Sequence, residues 1–160
     1  MKTKKSKLVG IIFLISAICV TVFIFHNSSC DASSSAKTSG HLAKFFLILA
    51  GKLGFDINYT MADHIVRKCA HFLEFAAQAG CAGLFVIFFY KKVYDKLIYI
   101  LFTGLFTACT DEFTQLFSLG RSAEIKDVFV DFSGTLTATA VCVLIYVIFK
   151  KRLGGDGECQ

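Results

Sequence analysis

Ionisable and amide residues recur at helical spacing three times in otherwise apolar sequence: His71, Glu74 and Gln78; Asp111, Glu112 and Gln115; Asp127 and Asp131. Spacings of three, four and seven residues put the members of a set on one helix face. Arg67 and Lys68 precede the first set, and Arg121 stands between the second and third. These residue types offer distinct chemistries. Glu112 and Glu74 are candidate general bases, with His71 as a proton carrier. Arg67, Lys68 and Arg121 are candidate anchors for a phosphate or carboxylate, because hydrogen bonds between ionised groups are the strong ones. His71 and Glu74 offer two ligands on one face, but no second His lies near them in the apolar blocks, so no metal centre is expected. No Ser or Cys stands in a motif with a partnered base, so a reaction class is open, and no cofactor is expected.

The elements that carry these residues are long apolar blocks. The chain has 160 residues, 55% of them hydrophobic, with 18 Phe and neither Trp nor Pro. A membrane-spanning helix needs about 20 mostly apolar residues. Four blocks qualify: Leu8 to Phe25, about Ala70 to Tyr90, about Leu97 to Leu119, and about Val128 to Phe149. A cleavable leader is the rival reading of the first block, which follows Lys2, Lys4, Lys5 and Lys7, but its apolar run is long for a leader core. A lipoprotein site at Cys30 is disfavoured by the polar Asn27-Ser28-Ser29 before it. Between the first two blocks, Leu42, Phe45, Phe46, Leu49 and Leu53 fall on one face of an amphipathic helix over His41 to Phe55, expected at the interface. The Ser-rich stretch Ser28 to Gly40 reads as a linker.

The expected fold is therefore all-α: a polytopic membrane bundle of about four transmembrane helices plus an outer interfacial amphipathic helix. Residues 1–27 form the first span with its basic start, 28–69 the outer linker and amphipathic helix, 70–149 a three-helix core, and 150–160 a tail. Small-residue pairs four apart (Ala76 and Gly80, Ala79 and Gly83, Gly104 and Ala108, Gly134 and Ala138) fit close helix packing in lipid. The seven Cys are scattered with no C-x-x-C pair, which gives neither a disulfide framework nor a zinc site.

Charge sets the orientation. The net charge is +5, but the basic residues flank apolar blocks and do not form a stripe interleaved with aromatics, so no nucleic-acid partner is expected. The N-terminus, the 91–96 connection and the C-terminus are dense in Lys and Arg, so both termini are expected on the cytoplasmic side of the cell membrane. All the ionisable residues embedded in the spans then share one outer layer. At about 1.5 Å per residue, Glu74, Gln115 and Asp131 lie roughly 6 Å below the outer boundary and Asp111 and Gln78 roughly 12 Å.

A charged side chain deep in a bilayer costs about 2.5–3.5 kcal/mol on insertion scales, so these groups should face inward and pair. Arg67, Lys68 and Arg121 are the available partners for Glu74, Asp111, Glu112, Asp127 and Asp131, which leaves acids in surplus. Protonated carboxyls, a bound cation or a cationic ligand group would each answer the surplus.

Three motifs in order carry a resemblance to a known family: Arg67-Lys68-Cys69-Ala70-His71-Phe72-Leu73-Glu74-Phe75; Asp111-Glu112-Phe113-Thr114-Gln115-Leu116-Phe117; and Gly120-Arg121 followed by Asp127-Val128, Asp131 and Gly134. Over roughly Ser28 to Ile148 the chain resembles the VanZ-like membrane proteins, whose name comes from a protein linked to low-level teicoplanin resistance in Gram-positive bacteria. Phe75, Thr114 and Leu119 depart from the Tyr, His and Pro common in that pattern. The resemblance implies a cell-envelope membrane protein. One functional reading is a non-enzymatic one, whose partners are the lipid bilayer and a lipid-linked or glycopeptide ligand held at the outer face; the shared faces and depth give Arg67, Lys68, His71, Glu74, Asp111, Glu112, Gln115, Arg121, Asp127 and Asp131 as its ligand-binding residues. Three other readings stand beside it. The first is a membrane-embedded enzyme acting on an envelope lipid or peptidoglycan precursor. The second is a structural protein whose polar cluster only fixes helix packing. The third is a transporter, disfavoured because nothing ionisable crosses the inner half of the spans. Oligomeric state has no signature in the sequence.

Overall fold

A computed structural model describes residues 3–154 and contains five helices and, among the described residues, no strand. They are α1 (Lys4–Ser28), α2 (Ala32–Lys52), α3 (Tyr59–Phe89), α4 (Tyr94–Gln115) and α5 (Ile125–Gly154). All but α2 are long and apolar enough to cross a membrane, as the four apolar blocks predict. The end of the expected tail, residues 155–160, lies outside the described residues.

Local chemistry sets the boundaries. The Thr3 hydroxyl accepts from Ser6 N–H at 3.2 Å and the Asn58 side chain from Met61 N–H at 2.8 Å, so α1 and α3 begin at polar caps. Helix α2 stops at Gly54, whose φ of +84° is left-handed, while Phe55 N–H donates to the Ala50 carbonyl at 3.0 Å, a glycine-terminated helix end. Two expectations are corrected. The Ser-rich stretch is not a linker, because α2 already starts at Ala32. Its N-cap, Asp31, makes no side-chain bond to its own helix and instead accepts from Leu119 N–H at 3.3 Å. The second span is also part of a longer helix, starting at Tyr59 and not at Ala70. At about 1.5 Å per residue its 31 residues run to about 46 Å, longer than a hydrocarbon core of about 30 Å, so its first turns have length to stand clear of the lipid.

Helix α3 is the hub: α1, α2, α4 and α5 all pack on it. The bundle is turned inside out relative to a soluble protein. Large side chains such as Ile12, Phe102, Phe106 and Leu144 are exposed, whereas Ala79, Ala108 and Thr135 fill the interior. Small residues set the approach distances. A side chain at Gly134 would run into the Phe72 carbonyl and lie 3.1 Å from Ala76 N, so α5 rests against the backbone of α3. Gly104 likewise faces Thr135, and Gly83 faces Cys142. Gly80, expected at a similar contact, has open space where a side chain would sit. On α2 the face outlined by Leu42, Phe45, Leu49 and Leu53 is exposed, and the small Ala43 and Ala50 are buried.

The opposite end of the bundle is a collar of rings and lysines. Lys7 lies 5.6 Å from the Phe89 ring, and Lys96 lies 5.2 Å from both Tyr90 and Tyr99. Such belts mark a membrane–water boundary.

Gly134→Val places two methyl groups against α3 backbone that cannot move aside. Overpacking of this kind costs about 1–3 kcal/mol. The variant is expected to lower the thermal unfolding midpoint in detergent, while Gly80→Ala leaves it within error; equal midpoints for Gly134→Val and wild type would refute the close approach.

Candidate functional site

At the end of the bundle where α1 and α4 finish and α5 begins, the polar residues of four helices converge. The buried polar groups here are Gln78, Asp111, Glu112, Gln115, Ser118 and Asp131. A cavity of about 180 Å³ opens beside them, reached by Gln115. Its walls include His64, Arg67, Lys68, His71 and Arg121, with Gln115 and Asp127. The wall that carries Arg121 is a tight turn: Gly120 has a φ of +74° and Arg121 N–H donates to the Ser118 carbonyl at 3.2 Å, a conformation that suits glycine.

Six of the ten residues read as ligand-binding thus surround one cavity: Arg67, Lys68, His71, Gln115, Arg121 and Asp127. Asp111, Asp131 and Glu112 form a buried layer behind them. Asp111 and Asp131 are 0% and 1% exposed. His71 Nδ1 lies 3.9 Å from Asp111 Oδ2 and 3.7 Å from Asp131 Oδ1, so one imidazole on α3 meets a carboxylate from α4 and another from α5. Gln115 Nε2 donates to Asp111 Oδ2 at 3.1 Å, one turn along α4. Glu112 Oε1 accepts the Glu124 backbone N–H at 2.5 Å, at the start of α5, where the helix dipole favours negative charge.

One of the expected ion pairs forms and the other cations are placed differently. Lys68 pairs with Asp127, joining α3 to α5. Arg67 Nε lies 3.3 Å from Asp63 Oδ2, an acid one turn earlier on α3 and outside the expected span. Arg121 donates to the Asn27 backbone carbonyl at 3.1 Å. Glu74 makes no ion pair among the described residues: Asn27 Nδ2 donates to its Oε1 at 2.9 Å. The end of α1 is therefore a wall of the site. Ser118 Oγ also donates to the Ser28 carbonyl at 2.8 Å, and deeper in the bundle Gln78 bridges Thr21 of α1 at 2.7 Å and Thr107 of α4 at 3.2 Å. Asn27, Asp31, Asp63 and Ser118 are the residues that sequence reading missed. The one signal for them was an amide and a serine directly after an uninterrupted apolar block.

A second, larger cleft of about 380 Å³ lies lower, between α1, α3 and α4, with walls including Leu14, Ile18, Phe85 and Ile100. It is apolar and lacks the convergent charges of the first.

These features define an all-α polytopic membrane protein with a polar, basic-walled cavity at one end of its bundle. The family described as VanZ/LLP1 matches residues 13–149. The chain belongs to this VanZ-like family, and the matched region takes in most of α1 as well as the three helices that carry the motifs. No curated protein and no solved structure matches it.

Asn27→Leu removes the one side-chain donor that Glu74 has among the described residues and leaves a part-buried carboxylate without it. Loss of one partner of such a pair costs about 1–3 kcal/mol. A lowered unfolding midpoint is expected for Asn27→Leu but not for Ser16→Ala, whose exposed hydroxyl bonds only its own helix; if the two variants unfold alike, α1 is not a wall of the site.

Proposed function

We propose that this VanZ-like protein works in the bacterial cell envelope by binding the phosphate or carboxylate of a lipid-linked or glycopeptide ligand at the outer leaflet, and that this binding contributes to tolerance of teicoplanin. The observation that carries the reading is the cavity walled by Arg67, Lys68 and Arg121. Arg67 and Lys68 each already hold a carboxylate, whereas among the described residues the Arg121 guanidinium donates to a backbone carbonyl and forms no ion pair. A planar guanidinium bonded to a neutral acceptor keeps its charge and several donors for an incoming oxyanion. Arg121 is accordingly the ligand's main anchor, with Lys68 and Arg67 as the flanking positive field.

Orientation follows from the basic residues of the opposite end. Lys4, Lys5 and Lys7 open α1, Lys91, Lys92 and Lys96 surround the α3–α4 connection, and Lys150 lies near the end of α5. Lys and Arg collect on the cytoplasmic side, which turns the cavity outward.

Two measurements test this. A C-terminal fusion should be fluorescent as green fluorescent protein and inactive as alkaline phosphatase; the opposite pattern would place the cavity on the cytoplasmic side. In a susceptible Gram-positive host, wild type should raise the teicoplanin concentration tolerated. Arg121→Ala and Glu112→Gln, at matched membrane levels, should not. A charge-assisted hydrogen bond is worth about 1.5–3 kcal/mol, so Arg121→Ala should also weaken binding of a labelled lipid phosphate to purified protein by about tenfold or more. Unchanged affinity would remove Arg121 as the anchor, and three strains behaving as the empty vector would remove the role in tolerance.

A further inference from the structure

The layer behind the cavity contains three electron-pair donors with no cation among them. His71 Nδ1, one oxygen of Asp111 and one of Asp131 all lie within 4.8 Å of one another. They come from α3, α4 and α5, so no local motif announces them. Both carboxylates are more than nine-tenths buried. His71 Nδ1, Asp111 Oδ1 and Asp131 Oδ2 are buried without a hydrogen-bond partner. Among the described residues no basic side chain forms an ion pair with Asp111 or Asp131 apart from His71 itself: Lys68 pairs with Asp127 and Arg67 with Asp63, and Arg121 points to the Asn27 carbonyl.

Burying two carboxylates without compensation costs several kcal/mol per ion. One proton on the imidazole would leave the group with a net charge of −1. A divalent cation with neutral imidazole brings it to zero and uses the orphaned nitrogen as well.

The geometry agrees. Ligand atoms that each stand about 2.0–2.2 Å from one ion lie roughly 3–4.4 Å apart for angles between 90° and 180°. The two contacts of His71, at 3.7 and 3.9 Å, fall within that interval. The outer supports of a metal site are present too. Gln115 holds Asp111 Oδ2 at 3.1 Å, the kind of bond that orients a ligating carboxylate. Gly134, one turn along α5 from Asp131, lets α5 settle on the Phe72 carbonyl beside His71.

We propose that His71, Asp111 and Asp131 hold a divalent transition-metal ion, zinc or manganese, at the floor of the cavity. One imidazole and two carboxylates suit these ions better than thiophilic ones. Three protein ligands leave at least one coordination position open, and His71 itself lines the cavity. An oxyanion held by Arg121 is the natural occupant of that position. The metal site deepens the anion-binding reading but stands on its own geometry.

The test uses the full chain purified in detergent, stripped with a chelator and dialysed against Zn²⁺ or Mn²⁺ with no lipid phosphate or antibiotic present. Elemental analysis should find about one ion per wild-type chain. Asp131→Asn and His71→Gln should each weaken binding at least tenfold, and Asp95→Asn, at the far end of α4, should bind as wild type does. Wild type without a stoichiometric ion, or Asp131→Asn retaining it, overturns the proposal. If the site variants do not elute as folded species, Co²⁺ added to wild type decides. Visible bands stronger than those of the aqua ion support a protein-held metal, and the aqua spectrum overturns it. A chain that binds the ion yet confers no tolerance leaves the metal site standing and removes only the teicoplanin reading.

Discussion

Asp111 and Asp131 sit at 0% and 1% exposure in a bundle whose outer surface is built for lipid. A carboxylate in that position has no water to turn to, so its partners must come from neighbouring helices, and those helices must meet at one level. His71 supplies that meeting point from α3, the helix on which the other four all pack. The small residues of the interior follow from the same demand. Without Gly134 against Phe72 and Gly104 against Thr135, α4 and α5 could not come close enough for their acids to reach one imidazole. The polar site and the packing of the bundle are one construction.

The division of labour between the two ends is equally physical. One end keeps lysines beside aromatic rings, as at the exposed Lys7 with Phe89, where water and headgroups solvate the charge. The other draws charge inward, among Lys68, Asp127, Glu112 and Arg121. A bundle made only for anchorage would need the first arrangement at both ends.

The spans and the shared polar layer were legible because an apolar run and a helical repeat are local properties, readable at His71-x-x-Glu74 or Asp127 and Asp131 without knowing any neighbour. Pairing was less legible, because it depends on rotation and tilt. By level alone Glu74 seemed to want a cation, yet the residue that reaches it is Asn27, from a helix that reads as bare anchor. The acids within the spans are the expected partners of Arg67, but Asp63, just before the expected span, stands one turn away. The Ser-rich start of α2 read as linker because serine favours turns in isolation. In the structure that segment is helical, and Ser39 donates to Asp63 of α3 at 2.6 Å. The metal-ligand trio was invisible for the same reason as the pairings: its members lie 40 and 20 positions apart along the chain.

The contact of Gly134 with the Phe72 carbonyl also has a mechanical meaning. Two helices that touch backbone to backbone through a notch cannot slide smoothly past each other, since each intermediate position brings a side chain onto a carbonyl. Their relative register is confined to steps of a helical turn, about 5.4 Å. One such step would carry Asp131 out of reach of His71 altogether. The notch thus holds the floor of the cavity in the one register in which its three groups meet.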